Sequence, residues 1–171
     1  MKTTKLKKLL ACSEAVEYVK TQKSSKDAWM NCERGDWMLW LAKRLDVDDR
    51  KLTLAKATCA NQVRHLMKDQ RSLNAIDACF RYANGEITRE ELNAASSYAY
   101  DAYAAAAAAA AADDAAYAYA AAAAADDAAD AADAVAAAIT STRMESLKKS
   151  ADICREILTE DVLEKYENAK D

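Results

Sequence analysis

Residues 94–138 read AASSYAYDAYAAAAAAAAADDAAYAYAAAAAADDAADAADAVAAA, a stretch in which about two residues in three are alanine. Alanine has the highest helix propensity of any residue, so this tract predicts helix. One unbroken helix from Arg89 to Ile139 would be on the order of 75 Å long at the standard rise per residue. The aspartate pairs Asp113-Asp114 and Asp126-Asp127 are natural helix starts and therefore candidate break points. The expectation is two alanine-rich helices folded back on each other as a hairpin. Each alanine buries little area, so such a pair must rely on backbone propensity and a long seam. Alanine helices can bind ice through a regular threonine array, but no threonine lies between Thr88 and Thr140.

The rest of the chain agrees with a helical class. Among 171 residues there is no proline and only two glycines, Gly35 and Gly85, too few turn residues for an all-β fold. The expected architecture is all-α, a bundle of short helices plus the alanine-rich hairpin. A single domain is expected over 1–171: a short-helix bundle at 1–87, the alanine-rich tract at 88–142 and C-terminal helices at 143–171.

Before the tract, helical spacing relates Leu6, Leu9, Leu10, Val16 and Val19, with a bend near Cys12. Ser24 and Asp27 have capping-box spacing, as do Thr88 and Glu91. Gly35 fits the residue just past a helix end, and Asp36 fits the cap of the helix carrying Trp37, Leu39, Trp40, Leu41 and Leu45. Asp48 or Asp49 opens a helix with a Leu52, Ala55, Cys59, Val63, Leu66, Met67 stripe. A further helix with Leu73, Ile76, Cys79, Phe80 and Ala83 ends at Asn84-Gly85. After the tract, Met144, Leu147, Ala151, Cys154 and Leu158 share a face, and Thr159 reads as the cap of a short last helix.

The start, Met1 to Cys12, imitates a lipoprotein signal, but its uninterrupted apolar run is only Leu9 to Ala11, so it reads as a first helix. No apolar run reaches the length of a membrane span, because aspartates interrupt the alanines. The five cysteines are scattered without a CxxC pair and read as buried reduced thiols at helical positions, which points to a reducing, cytoplasmic setting. With one histidine, His65, and no clustered ligands, neither a metal site nor a cofactor is expected. His65 and Cys59 are six apart, roughly opposite in helical phase, so one helix does not pair them for nucleophilic chemistry. The chain reads as a binding protein and not as an enzyme, with no catalytic residue.

Net charge is −4, divided unevenly: +5 over residues 1–92, −7 over 93–142, where seven aspartates meet no cation, and −2 over 143–171. This dipolar layout neither demands nor forbids nucleic acid, which is not the expected partner. Trp37 and Trp40 lie three apart on one helix face with Trp29 one helix earlier. Tryptophan supplies large rigid contact area, so the three form either a recognition surface or core packing between helices. Asp36, Arg44, Asp49, Arg50, Arg64, His65, Lys68 and Arg71 form a charged layer beside them, able to fork onto a phosphate or carboxylate. Tyr98 and Tyr117 in the tract are further candidate contacts, and Asp126, Asp130 and Asp133 share a stripe that could face a basic partner. The candidate binding residues are thus Trp29, Asp36, Trp37, Trp40, Arg44, Arg64, His65, Arg71, Tyr98 and Tyr117.

The combination Ala11-Cys12-Ser13-Glu14-Ala15-Val16-Glu17-Tyr18, Ala28-Trp29, Cys32-Glu33-Arg34-Gly35-Asp36-Trp37-Met38-Leu39-Trp40-Leu41, Arg50-Lys51-Leu52 with Ala55, Gly85-Glu86, the alanine–tyrosine tract and Ala151-Asp152-Ile153-Cys154-Arg155 resembles a family of bacterial and phage immunity proteins, the Imm-5-like group. The resemblance implies a small antitoxin-like protein that neutralises a toxin by direct contact. A protein partner is the first expectation. A small anionic ligand such as a nucleotide signal, sequestered for counter-defence, is the second, and a structural scaffold the third. A homo-oligomer is compatible with all of them.

Overall fold

The computed structural model describes residues 1–62, 64, 70–95 and 129–169, with backbone alone at 72 and 129–143. Among these residues the chain is all helical, without strands. The helices are α1 (Thr3–Lys8), α2 (Ser13–Lys20), α3 (Ser25–Met30), α4 (Gly35–Arg44), α5 (Asp49–Asn61), α6 (Gln70–Ala83), α7 (89–95) and α8 (Ala129–Asn168). The expected hairpin, its break points at Asp113-Asp114 and Asp126-Asp127, and Val63, Leu66 and Met67 of the expected α5 stripe lie outside the described residues.

α8 is the pillar of the bundle, 40 residues long and therefore about 60 Å. It packs against α3, α4 and α5. Its inward stripe is Ala151, Cys154, Leu158 and Val162, all without solvent exposure, and then Tyr166. Their spacing of three and four residues keeps one face turned to the core. The helix crosses the boundary expected near residue 142 without a break. Thr159 therefore does not cap a last short helix: it sits mid-helix, its hydroxyl donating to the Arg155 carbonyl one turn back and accepting the Trp29 indole N–H at 2.8 Å. A threonine hydroxyl serves both arrangements, so local sequence did not separate them.

The short helices are delimited by their caps. Ser24 accepts the Asp27 N–H at 2.9 Å, and Asp48 accepts those of Arg50 and Lys51 at 3.1 and 3.0 Å. Thr88 and Glu91 satisfy each other's backbone N–H at 3.2 and 2.8 Å, the full capping box. α6 ends as expected at Asn84-Gly85. Gly85 has φ +81°, and paired bonds from Gly85 to Tyr82 and from Glu86 to Arg81 close the helix.

Gly35 corrects its reading. It is the first residue of α4, not the residue after α3, and a Cβ there would lie 2.5 Å from Ser150 Cβ and 2.7 Å from the α8 backbone. It is a glycine because α4 and α8 touch backbone to backbone. Asp36 likewise is no cap: Arg34 precedes α4 without a capping side chain, and Asp36 sits in the first turn. Leu10 leaves the expected apolar face, being 73% exposed with φ 66° between α1 and α2. Cys12 is also exposed and precedes α2, so only part of the cysteine expectation holds; Cys32 and Cys154 are the buried thiols.

The termini of the described fold are tied by Lys5. It is buried, its ammonium donates to the Tyr166 and Ala169 carbonyls at the end of α8, and it lies 4.5 Å over the Tyr166 ring. The last carbonyls of a helix lack partners within it and carry partial negative charge, so a cation there is favourable.

Candidate functional site

α4 divides its side chains between two environments. Met38, Leu41 and Ala42 turn inward with Gly35, and the opposite edge leaves Trp37 and Trp40 half-buried one turn apart. Arg34 forks onto Asp36 with bonds of 2.8 and 2.6 Å while its guanidinium lies 4.3 Å over the Trp37 ring. Arg44 lies 5.8 Å from the Trp40 ring. Tyr18 of α2 completes the patch, its ring 6.0 Å from that of Trp37 and its hydroxyl donating to the Ala28 carbonyl at 3.0 Å.

The electrostatics follow from these contacts. The hydrogen bonds from Arg34 hold the Asp36 carboxyl below its ordinary range and raise the Arg34 guanidinium in turn. Burial, with the nearby Cys32 and Glu33, pushes the Tyr18 phenol up to about 12, so it stays a neutral donor. Beneath the edge is an apolar pocket of about 40 Å³, lined among others by Met1, Tyr18, Trp29, Trp37, Met38 and Trp40. The loop before α4 is pinned to α8 by Arg155, which donates to the Cys32 carbonyl at 2.7 Å, and by the Lys148–Glu33 pair at 3.1 Å.

The structure thus brings together Asp36, Trp37, Trp40 and Arg44 of the expected site. Trp29 is not part of any surface: it is 1% exposed, a core residue held by Thr159. Arg64 is committed elsewhere, forked onto Asp77 of α6 at 2.6 and 2.9 Å. Arg71 lies exposed in the first turn of α6. His65, Tyr98 and Tyr117 lie outside the described residues, as does Asp126 of the acidic stripe.

Two features were missed by sequence reasoning. Tyr18 and Arg34 belong to the aromatic patch, and Arg34 was signalled only by its place beside Asp36 and Trp37. A second cluster forms around Tyr82, with the Arg50 and Arg89 guanidiniums 4.3 and 4.4 Å from its ring and its hydroxyl donating to Asp49 at 2.8 Å. Arg89 pairs with the same Asp49, and Arg50 also donates to the Tyr82 carbonyl. Asp49 and Arg50 stood in the expected charged layer, but nothing local linked them to Tyr82. Here they clamp α5 to α6 and α7.

Among the described residues no group of three or more His, Cys, Asp or Glu is placed to hold a metal ion. No described helix is long and apolar enough to cross a membrane. No protein-family model, curated protein or solved structure matches the chain.

Proposed function

We propose that the chain is an immunity-like binding protein that neutralises a protein partner by direct contact, with the outer edge of α4 as its docking surface. The observation that carries this reading is the pair of half-buried rings, Trp37 and Trp40, with Arg34 and Arg44 laid over them and Tyr18 alongside. Tryptophan, tyrosine and arginine are the residues that dominate binding energy at protein interfaces, and here packing restricts them before any partner arrives. The acidic tract, with seven aspartates and no cation over residues 93–142, would draw in a basic partner and raise its association rate. The role belongs in the cytoplasm, alongside the toxin that it restrains, and needs no turnover of a substrate.

A small anionic ligand is less well served by this edge. The pocket under it, about 40 Å³, has room for a few waters and not for a nucleotide, and Arg64 already holds a carboxylate. Native mass spectrometry of the chain purified from its own host tests the reading. A retained polypeptide is expected, lost in the Trp40→Ala variant; a retained nucleotide would replace this reading with the ligand one.

A further inference from the structure

Among the described residues, α1, α4 and α6 stop in the same way. After each, the chain turns through a left-handed residue: Leu10 at φ 66°, Asp46 at 54° and Gly85 at 81°. The N–H of that residue and of the next one reach back into the last turn, Leu10 to Lys7 and Ala11 to Leu6, Asp46 to Lys43 and Val47 to Ala42, Gly85 to Tyr82 and Glu86 to Arg81. Glycine bears no steric penalty in this conformation, and a short polar side chain such as aspartate tolerates it. Leucine is the poor choice. Yet Leu10 stands there 73% exposed, so little packing offsets the strain.

The turn that carries Leu10 sits beside an apolar hole. Leu9 and Ala11, on either side of it, pack onto the same core as Trp37 and Trp40. Leu6, whose carbonyl holds the turn, lines the pocket of about 40 Å³ together with Ala15 and Tyr18 of α2 and Trp37 and Trp40 of α4. Room for a few waters is room for the branched end of one aliphatic side chain. Opposite charges flank the two features. α1 carries the exposed Lys7 and Lys8, α2 carries the exposed Glu14, and none of the three makes an ion pair among the described residues.

We propose that Leu10 is the knob of a two-fold pair, seated in this pocket on a second copy of the chain while the pocket at home receives the leucine of the other copy. A knob, a hole and opposite charges on one small surface make that surface complementary to itself, which is what a two-fold contact requires. Lys7 and Lys8 of each copy then face Glu14 of the other. Burying the leucine end against the pocket walls removes apolar area from water on both sides, and it does so twice, which offsets the strain kept in the turn. The pocket lies under the edge of α4 proposed above as the docking surface. The pair would therefore cover that edge until a tighter partner displaces the second copy, and only this consequence rests on the docking reading.

The test is sedimentation equilibrium of the purified full chain from about 1 to 500 µM at low salt, with circular dichroism of every variant. A monomer–dimer equilibrium with a dissociation constant of about 10–100 µM is expected, weakening as salt rises. Leu10→Gly should weaken the dimer about tenfold or more. In dilute, monomeric samples the same variant should melt about 1–3 °C higher, because the strain is gone. Glu14→Lys and Lys7→Glu/Lys8→Glu should each dimerise poorly alone and pair with each other when mixed, since the mixture restores both charge contacts. A chain that stays monomeric throughout, a dimer indifferent to Leu10→Gly, a lower melting temperature for that variant, or a mixture that pairs no better than its parts would each overturn the proposal. If the dimer is absent while the native chain still retains the host polypeptide and Trp40→Ala loses it, this inference falls and the docking reading stands.

Discussion

The two apolar clusters among the described residues are held by different physics. The larger one, built by α1 to α5 on α8, encloses Trp29, Met38, Leu158, Val162 and Cys154 with almost no exposure, with polar ties such as Trp29 to Thr159, Lys5 to the end of α8 and Arg155 to the Cys32 carbonyl beside that buried area. The smaller one, Ala78, Tyr82, Ile87 and Leu92 around α6 and α7, is closed by charges: Arg50 and Arg89 against Tyr82, both tied to its neighbourhood by Asp49 or backbone. A large core is stabilised mainly by buried area, whereas the smaller cluster, as far as the described residues go, adds cation–π contacts and ion pairs that hold its helices. The first region should therefore respond to changes in volume, and the second to changes in charge and ring chemistry.

The largest expected effect is in the first region. Leu158→Ala should lower stability by about 3 kcal/mol in a urea titration, the cost of lost burial plus a cavity. A loss under about 1 kcal/mol would mean that the α8 seam is looser than described. Next is Gly35→Ala, whose methyl would meet Ser150 Cβ at 2.5 Å; separating α4 from α8 should cost about 2 kcal/mol, part of which Ser150→Gly should restore.

In the second region, Tyr82→Leu keeps an apolar side chain but removes both guanidinium contacts and the bond to Asp49. A loss of about 1–2 kcal/mol is expected, with faster hydrogen exchange over α6 and α7 and none over α8. Equal loss of protection in α8 would show that the two clusters unfold as one. The smallest effect is acid sensitivity. Asp36 and Asp77 both titrate below their ordinary value of 3.8 because Arg34 and Arg64 bond their charged forms. A depressed carboxyl contributes stability above its unfolded pKa and loses it as pH falls through the folded one, so these contributions should fade below about pH 4. Both pairs lie largely in water, so the change is small, and Arg34→Ala should remove the Asp36 part of it.

What the sequence made legible was local. The capping pairs at Ser24, Asp48 and Thr88, the Gly85 stop and the helical class each depend on residues within one turn of each other. What escaped it depended on partners far along the chain. Gly35 and a helix-ending glycine look alike until Ser150 is seen beside it, and Thr159 looks like a cap until Trp29 reaches it. The three tryptophans were equally eligible for core and surface. Only the approach of α3 to α8 buries Trp29, while Trp37 and Trp40 fall on the edge of α4 that no described helix covers fully. Arg64 read as a site residue because Asp77 is thirteen positions away.

The claim on which the functional account rests is that this edge of α4 carries the binding energy. The direct measurement is the dissociation constant of the polypeptide retained from the host, for the native chain and for the Trp37→Ala/Trp40→Ala variant, with helicity checked by circular dichroism. The account predicts a loss of affinity of about a hundredfold or more with helicity preserved. A change of less than about threefold in a variant that remains folded would contradict it.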